Sequence, residues 1–218
     1  MPANYVSWKT PIGMKVHRVA KFKQRSALSN NAAIKEMPGV QNGACIGLAF
    51  AWLRRRLQQP SETPQRRIQY LGQEDTLYKV DVDCSSFNRC YYRSARGIER
   101  IVAAAPNICG MSSRSAIEAS GLTGLEVLAS HIDETLPGYY LWECTFTEGV
   151  TSHAFALYAD GSGMSFFDPN SGEYRIGAKG KLAFFKQLYN HYRHYVSMKG
   201  VKADLQFDKL FLIQLGNM

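Results

Sequence analysis

The chain has 218 residues, 45% of them hydrophobic and 20% charged, a balance that excludes an intrinsically disordered chain and suffices for one substantial core without disulfide or metal staples. Its 26 Lys and Arg against 18 Asp and Glu give a net charge of +8, which favours anionic partners. No run of 18 apolar residues is present, so a membrane span is not expected, and the first thirty residues lack the apolar block of a secretory signal, so synthesis in a cytosol is. Five cysteines at irregular spacing (Cys45, Cys84, Cys90, Cys109, Cys144) fit neither a disulfide framework nor paired zinc ligands.

From the first residue to Lys35 the chain carries seven basic residues and no acid, with Glu36 the first acid. This stretch predicts a loosely structured basic arm over residues 1–37, and Pro38-Gly39 marks the break before a second unit over 38–218. From Gly43 the apolar positions Ile46, Phe50, Leu53 and Leu57 recur at helical spacing, with Asn42 as the N-cap and Arg54-Arg-Arg56 at the negative end of the helix dipole, read as a solvated turn rather than a nucleic-acid patch. Farther on, residues 76–82 predict a strand, 87–104 a helix, and 122–136 a helix ended by Pro137-Gly138. Residues 139–146, 150–159, 164–168 and 173–176 are short β-branched or aromatic runs separated by turn residues, the pattern of an antiparallel meander. A helix over 182–196 and a strand over 209–215 complete an α+β chain.

Three residues carry the chemistry. Cys45 falls in the first turn of its helix, where free backbone N–H groups and the positive dipole end favour a thiolate. His153 lies in one predicted strand and Asp168 in the next, joined through Asp160-Gly-Ser-Gly163. A two-residue or a four-residue loop gives the same register, in which Phe155 opposes Asp168 and His153 becomes its diagonal neighbour on the same face. That distance, ~7 Å between backbones, lets an imidazole and a carboxylate hydrogen-bond. A thiol, an imidazole and a carboxylate are the parts of a nucleophilic site, with the Cys45 N–H and a side-chain amide, Gln41 or Asn42, as oxyanion-hole candidates.

At these residues the chain resembles the YopT/AvrPphB-type papain-like cysteine protease effectors. The family's Gly-x-Cys-x-(Gly/Ala)-Leu-Ser-like helix start leading to Trp reads here as Gly43-Ala-Cys45-Ile-Gly47-Leu48-Ala49 with Trp52. Its histidine strand reads as His153-Ala-Phe-Ala156, and its aspartate motif as Phe166-Phe-Asp168-Pro-Asn-Ser-Gly-Glu-Tyr174. Ala49 replaces the usual serine, and Val40 stands where the family has an asparagine five residues before the cysteine. The resemblance implies a papain-like fold whose helical part, carrying the nucleophile helix, packs on an antiparallel sheet. It also implies a Cys45–His153–Asp168 triad, and a bacterial effector secreted without a signal peptide that cleaves a protein in the cytosol of a host or rival cell.

Other readings stand beside this one. The same triad serves glutamine deamidation or transglutamination, and a basic binding module for nucleic acid or anionic membrane with a vestigial triad is the reading from another class. For the protease, an anionic membrane surface met by the arm and a chaperone or immunity protein are the further partners considered, and nucleic acid is not expected. No cofactor or metal is expected: triplets such as Asp81-Val-Asp83 are common on surfaces, and His191 with His194 lack a third ligand nearby. Cys84, Cys90, Cys109 and Cys144 are read as packing residues, and the Tyr-rich helix over 189–195, with Lys186 and Arg193, as core plus surface.

Overall fold

The computed structural model describes residues 16–40, 44–93, 98–147, 152–193, 195–196, 202–203 and 206–216. In chain order the elements are β1 (Val16–Lys21), α1 (Gln24–Ser29), α2 (Ala32–Lys35), α3 (Cys45–Gln58), α4 (Pro64–Leu71), α5 (Glu74–Arg93), α6 (Ile98–Cys109), β2 (Ser112–Ser120), α7 (Gly121–Glu134), β3 (Gly138–Phe146), β4 (Ser152–Asp160), β5 (Gly163–Asp168), β6 (Gly172–Gly177), α8 (Lys181–Arg193), β7 (Tyr195–Val196), β8 (Lys202–Ala203) and β9 (Phe207–Gly216). Seven strands form one antiparallel sheet in the order β1-β6-β5-β4-β3-β9-β2, and β7 pairs with β8 separately.

Alternation along the central strands divides the core between the two sheet faces. Leu141, Ala154, Ala156, Phe167 and Ile213 pack with α3, α5 and α6 on one face. Trp142, Phe155, Leu157, Phe166 and Leu212 pack with α7 and α8 on the other. The result is an α+β fold with helices on both faces of one antiparallel sheet. Among the described residues no helix is long and apolar enough to cross a membrane.

The meander, α7, α8 and β9 follow the sequence expectations to within a few residues. The β4–β5 turn has the expected register, with Asp160 opposite Gly163, because Asp160 Oδ1 accepts hydrogen bonds from the Ser162 and Gly163 amides at 2.8 and 3.2 Å. Residues 76–82 are helical instead, part of the 20-residue α5. Their β-branched residues suggest a strand, but Leu77, Val80, Cys84 and Phe87 are buried at helical spacing while Tyr78 and Val82 are exposed. Residues 87–104 do not make one helix either: α5 ends at Arg93 and α6 opens at Ile98. The helix expected from Gly43 opens at Cys45, with Ala44 as an N-cap that makes no side-chain bond. Asn42, expected as the cap, lies outside the described residues.

The chain also differs from a loose arm over the described part of 1–37. β1 is an edge strand paired to β6, with His17 opposite Arg175, and Phe22 and Ile34 are buried in the α3 core. Exposed His17, Arg18 and Lys21 suit an edge strand, where charge discourages pairing with other chains, so the same basic composition accompanies an ordered element. Residues 1–15 lie outside the described residues. The arginine run is not simply a solvated turn: Arg54 pairs with Asp83 and Arg55 with Glu62, while Arg56 lies over the Tyr158 ring.

Candidate active site

Two glycines in the motifs explain how the site elements come close. A Cβ on Gly47 would lie 2.6 Å from the Val80 carbonyl oxygen and 2.7 Å from Cys84 Sγ, so α3 can rest against α5 only without a side chain there. Gly172 has φ +123°, and a Cβ on it would lie 2.1 Å from the Ala20 carbonyl oxygen, where β1 crosses.

Cys45 is the first residue of α3 and is partly buried. His153 is the second residue of β4 and Asp168 the last of β5, both buried. His153 Nε2 is 3.0 Å from Asp168 Oδ1, and Cys45 lies near enough to the imidazole to help raise its pKa. With Nε2 held by the carboxylate, Nδ1 is the nitrogen left for the thiol. The three expected residues therefore meet at one end of β4, the cysteine from the helix packed on one sheet face and the other two from the row on the opposite face.

Asp168 is satisfied on every side. Besides His153, Oδ1 accepts from the Asn170 amide at 2.9 Å and the Tyr192 hydroxyl at 3.2 Å, and Oδ2 accepts from Ser171 Oγ. Burial alone would raise its pKa, but the hydrogen bond and charge of His153, with the bonds from Ser171 and Asn170, hold it below the ordinary carboxylate value. Burial likewise opposes a charged imidazole, yet the bonds and negative charges of Asp168 and Cys45 push the His153 pKa up to about 9. The ring is packed edge-on to Phe155 at 4.6 Å and tilted against Tyr192 at 5.4 Å between centroids.

Neighbouring thiols differ. Burial pushes the pKa of Cys84 and Cys144 well above the ordinary thiol value, which suits packing residues. The side chains of Cys90 and Cys109, and the oxyanion candidates Gln41 and Asn42, lie outside the described residues, as does His194. Asp81 accepts from the Gly39 amide and Asp83 pairs with Arg54, so both carboxylates of that triplet have structural partners. Among the described residues no group of three metal-ligating side chains is found.

Sequence reasoning missed a second buried cluster that holds the two halves of the site together. Trp52 Nε1 donates to Glu173 Oε2 at 2.8 Å, and Arg67 donates to both oxygens of Glu173 at 3.0 and 3.1 Å. Trp52 also stacks on Phe167, 6.0 Å between centroids. The helix that begins at Cys45 is thus tied through Trp52 to the strand that follows Asp168. The signal was Trp52 and Glu173 within the quoted motifs; Arg67, on a helix the sequence reading did not predict, had none. Tyr192 was visible only as a residue of an aromatic helix.

The family model described as Yersinia/Haemophilus virulence surface antigen (Peptidase C58) matches residues 111–202, which include His153 and Asp168. "Cysteine protease yopT1" of Yersinia enterocolitica is 27% identical over 199 residues, covering 79% of this chain and 59% of the relative. "Cysteine protease YopT" of Yersinia pestis is 27% identical over 179 residues, covering 74% and 54%. The chain therefore spans somewhat more than half the length of these curated relatives. The crystal structure of the Pseudomonas avirulence protein AvrPphB shares the fold, with a TM-score of 0.62 at 19% identity over 84% of this chain and 94% of that one. Motifs, family model, relatives and fold point the same way: the chain is similar to the YopT/AvrPphB-type cysteine proteases.

Proposed function

We propose that the chain is a bacterial effector cysteine endopeptidase that cleaves a protein of a target cell through an acyl-enzyme on Cys45. One observation carries the reading: a buried, hydrogen-bonded His153–Asp168 pair beside a partly buried cysteine at the start of a helix, an arrangement that raises the imidazole pKa to about 9. Near neutral pH that ring is an imidazolium, the counter-ion a thiolate nucleophile needs.

In the reaction the Cys45 thiolate attacks the scissile carbonyl, and the negative charge moves to the carbonyl oxygen. The Cys45 N–H, in the turn where helix amides lack intrahelical partners, is one donor for that oxyanion, and Gln41 or Asn42 supplies the other. His153 gives its proton to the leaving amine as the C–N bond breaks, leaving a thioester and a neutral imidazole. The imidazole then takes a proton from water, the hydroxide adds to the thioester, and the thiolate departs. Asp168 holds the ring in place and stabilises its charged form throughout. Delivery into a host or rival cell belongs to the same proposal. A vestigial site is disfavoured by the number of hydrogen bonds that Asp168 keeps.

The test is exposure of a target-cell lysate to wild type and to Cys45→Ala, with new protein N-termini mapped by mass spectrometry. New N-termini with wild type alone are expected. Deamidated or cross-linked glutamines without new N-termini would overturn the endopeptidase reading in favour of acyl transfer from glutamine, and identical maps would overturn both.

A further inference from the structure

The proposed triad leaves one buried group at its centre without a role. Tyr192, on α8, is 2% exposed, and its hydroxyl lies 3.2 Å from Asp168 Oδ1. A carboxylate can only accept, so Tyr192 is the donor, and its oxygen then accepts from Asn170 Nδ2 at 3.4 Å. Asn170 Oδ1 accepts in turn from Gln24 Nε2 at 2.7 Å. Gln24 is the first residue of α1, and its own amide donates to the Pro169 carbonyl at 2.8 Å. Every donor in this row points toward Asp168, so each bond polarises the next in the same sense. The row begins in the N-terminal segment and ends on the carboxylate that holds His153.

We propose that Tyr192 is a positioning residue of this site: its hydroxyl pins Asp168 from the α8 side, and Asn170 and Gln24 extend that hold to the N-terminal segment. The proposal rests on the triad reading. Its physical content is electrostatic as well as geometric. Asp168 Oδ1 shares its electron density among the imidazole, the Asn170 amide and Tyr192. Removing one donor leaves the oxygen a stronger acceptor for the imidazolium. Tyr192 stays a neutral donor across the working range, because burial and the Asp168 charge push its pKa well above the ordinary phenol value.

The other titratable groups described around the pair are Cys45 from α3, Cys144 from β3, Tyr174 from β6 and His191 from α8. Burial keeps the Cys144 thiol and the Tyr174 phenol protonated and lowers the pKa of His191, so none of these three titrates with His153 on the alkaline side. The phenyl ring of Tyr192 is packed against Phe146, Phe155 and Phe207, so Phe fills the same space.

The experiment follows the His153 titration by NMR in the 218-residue chain, assigned with His153→Ala, for wild type, Tyr192→Phe and Gln24→Ala, each with a thermal melt. In Tyr192→Phe the midpoint should rise by about half a pH unit, roughly threefold tighter proton binding, and in Gln24→Ala by a smaller amount in the same sense, about 0.2. An unchanged or lowered midpoint in folded Tyr192→Phe overturns the proposal, and would be the result of a merely structural tyrosine. If that variant does not fold, Gln24→Ala decides alone. A shift in Tyr192→Phe with none in Gln24→Ala overturns the link to the N-terminal segment. Because the readout needs no substrate, a chain that cleaves nothing would refute the endopeptidase reading and leave this result to stand or fall separately.

Discussion

Asp168→Asn tests the electrostatic core of the site with almost no change of shape. The asparagine keeps an acceptor oxygen for His153 and presents its amide to Ser171 Oγ, which can accept. What disappears is the negative charge. In wild type the imidazole is raised from 6.5 to about 9 against the penalty of full burial. That displacement corresponds to roughly 3 kcal/mol of preference for the charged ring. Asp168 is the first of the groups that raise it, so without its charge burial acts against a weaker opponent. The midpoint should then fall by about 2 pH units, toward the ordinary imidazole value or below it. At pH 7.5 the variant would hold a mostly neutral ring. The Cys45 alkylation rate would lose its alkaline plateau, and kcat/KM on a cleaved substrate would drop by roughly two to four orders of magnitude, less than on losing the nucleophile. The assay is the pH dependence of iodoacetamide reaction at Cys45, read by intact mass. An alkaline limb that stays near its wild-type position in Asp168→Asn would refute the reasoning.

The remaining predictions concern stability. Glu173→Ala leaves the buried Arg67 guanidinium and the Trp52 indole N–H without their carboxylate, and should destabilise the fold by about 3–5 kcal/mol in chemical denaturation; a loss within experimental error would show that the cluster does not hold α3 to the sheet. Gly172→Ala puts a methyl group into the Ala20 carbonyl at a φ that side chains rarely adopt, and should release β1, seen as fast hydrogen exchange over residues 16–21 with β3 and β4 still protected. The His153 proton is bound more tightly in the folded chain than in the unfolded one, so its contribution to stability is full below about pH 6.5 and lost as pH rises through about 9. Asp168 has the opposite sign: its contribution is present above the ordinary value of 3.8 and lost as pH falls through its lower folded value. Thermal melts should therefore decline on both sides of neutrality, and Asp168→Asn should flatten both limbs.

The His153–Asp168 pairing was legible because it is local. The β4–β5 turn fixes a register by counting residues, and the register sets His153 diagonal to Asp168 before any coordinate is known. Cys45 needs only a helix start, which the apolar spacing of α3 supplies, although the start itself lies at Ala44 and not at Asn42. What was not legible depends on distant partners. β1 and β2 are polar edge strands with little alternation of their own, ordered by the ladders that β6 and β9 offer them. α5 carries β-branched residues whose preference gives way to a buried helical stripe. Arg67 and Trp52 reach Glu173 across 106 and 121 residues of chain, and Tyr192 reaches Asp168 across 24, separations that no local pattern reports.

The central claim is that Cys45 is a nucleophile activated by His153. Brief treatment with a small thiol alkylator at neutral pH, followed by intact-mass and peptide analysis of wild type, Cys45→Ala and His153→Ala, tests it most directly. The account predicts one rapid adduct in wild type, located at Cys45, absent in Cys45→Ala and strongly slowed in His153→Ala, with buried Cys84 and Cys144 unmodified in all three. Uniform reaction among the cysteines, or a Cys45 rate indifferent to the loss of His153, would contradict it.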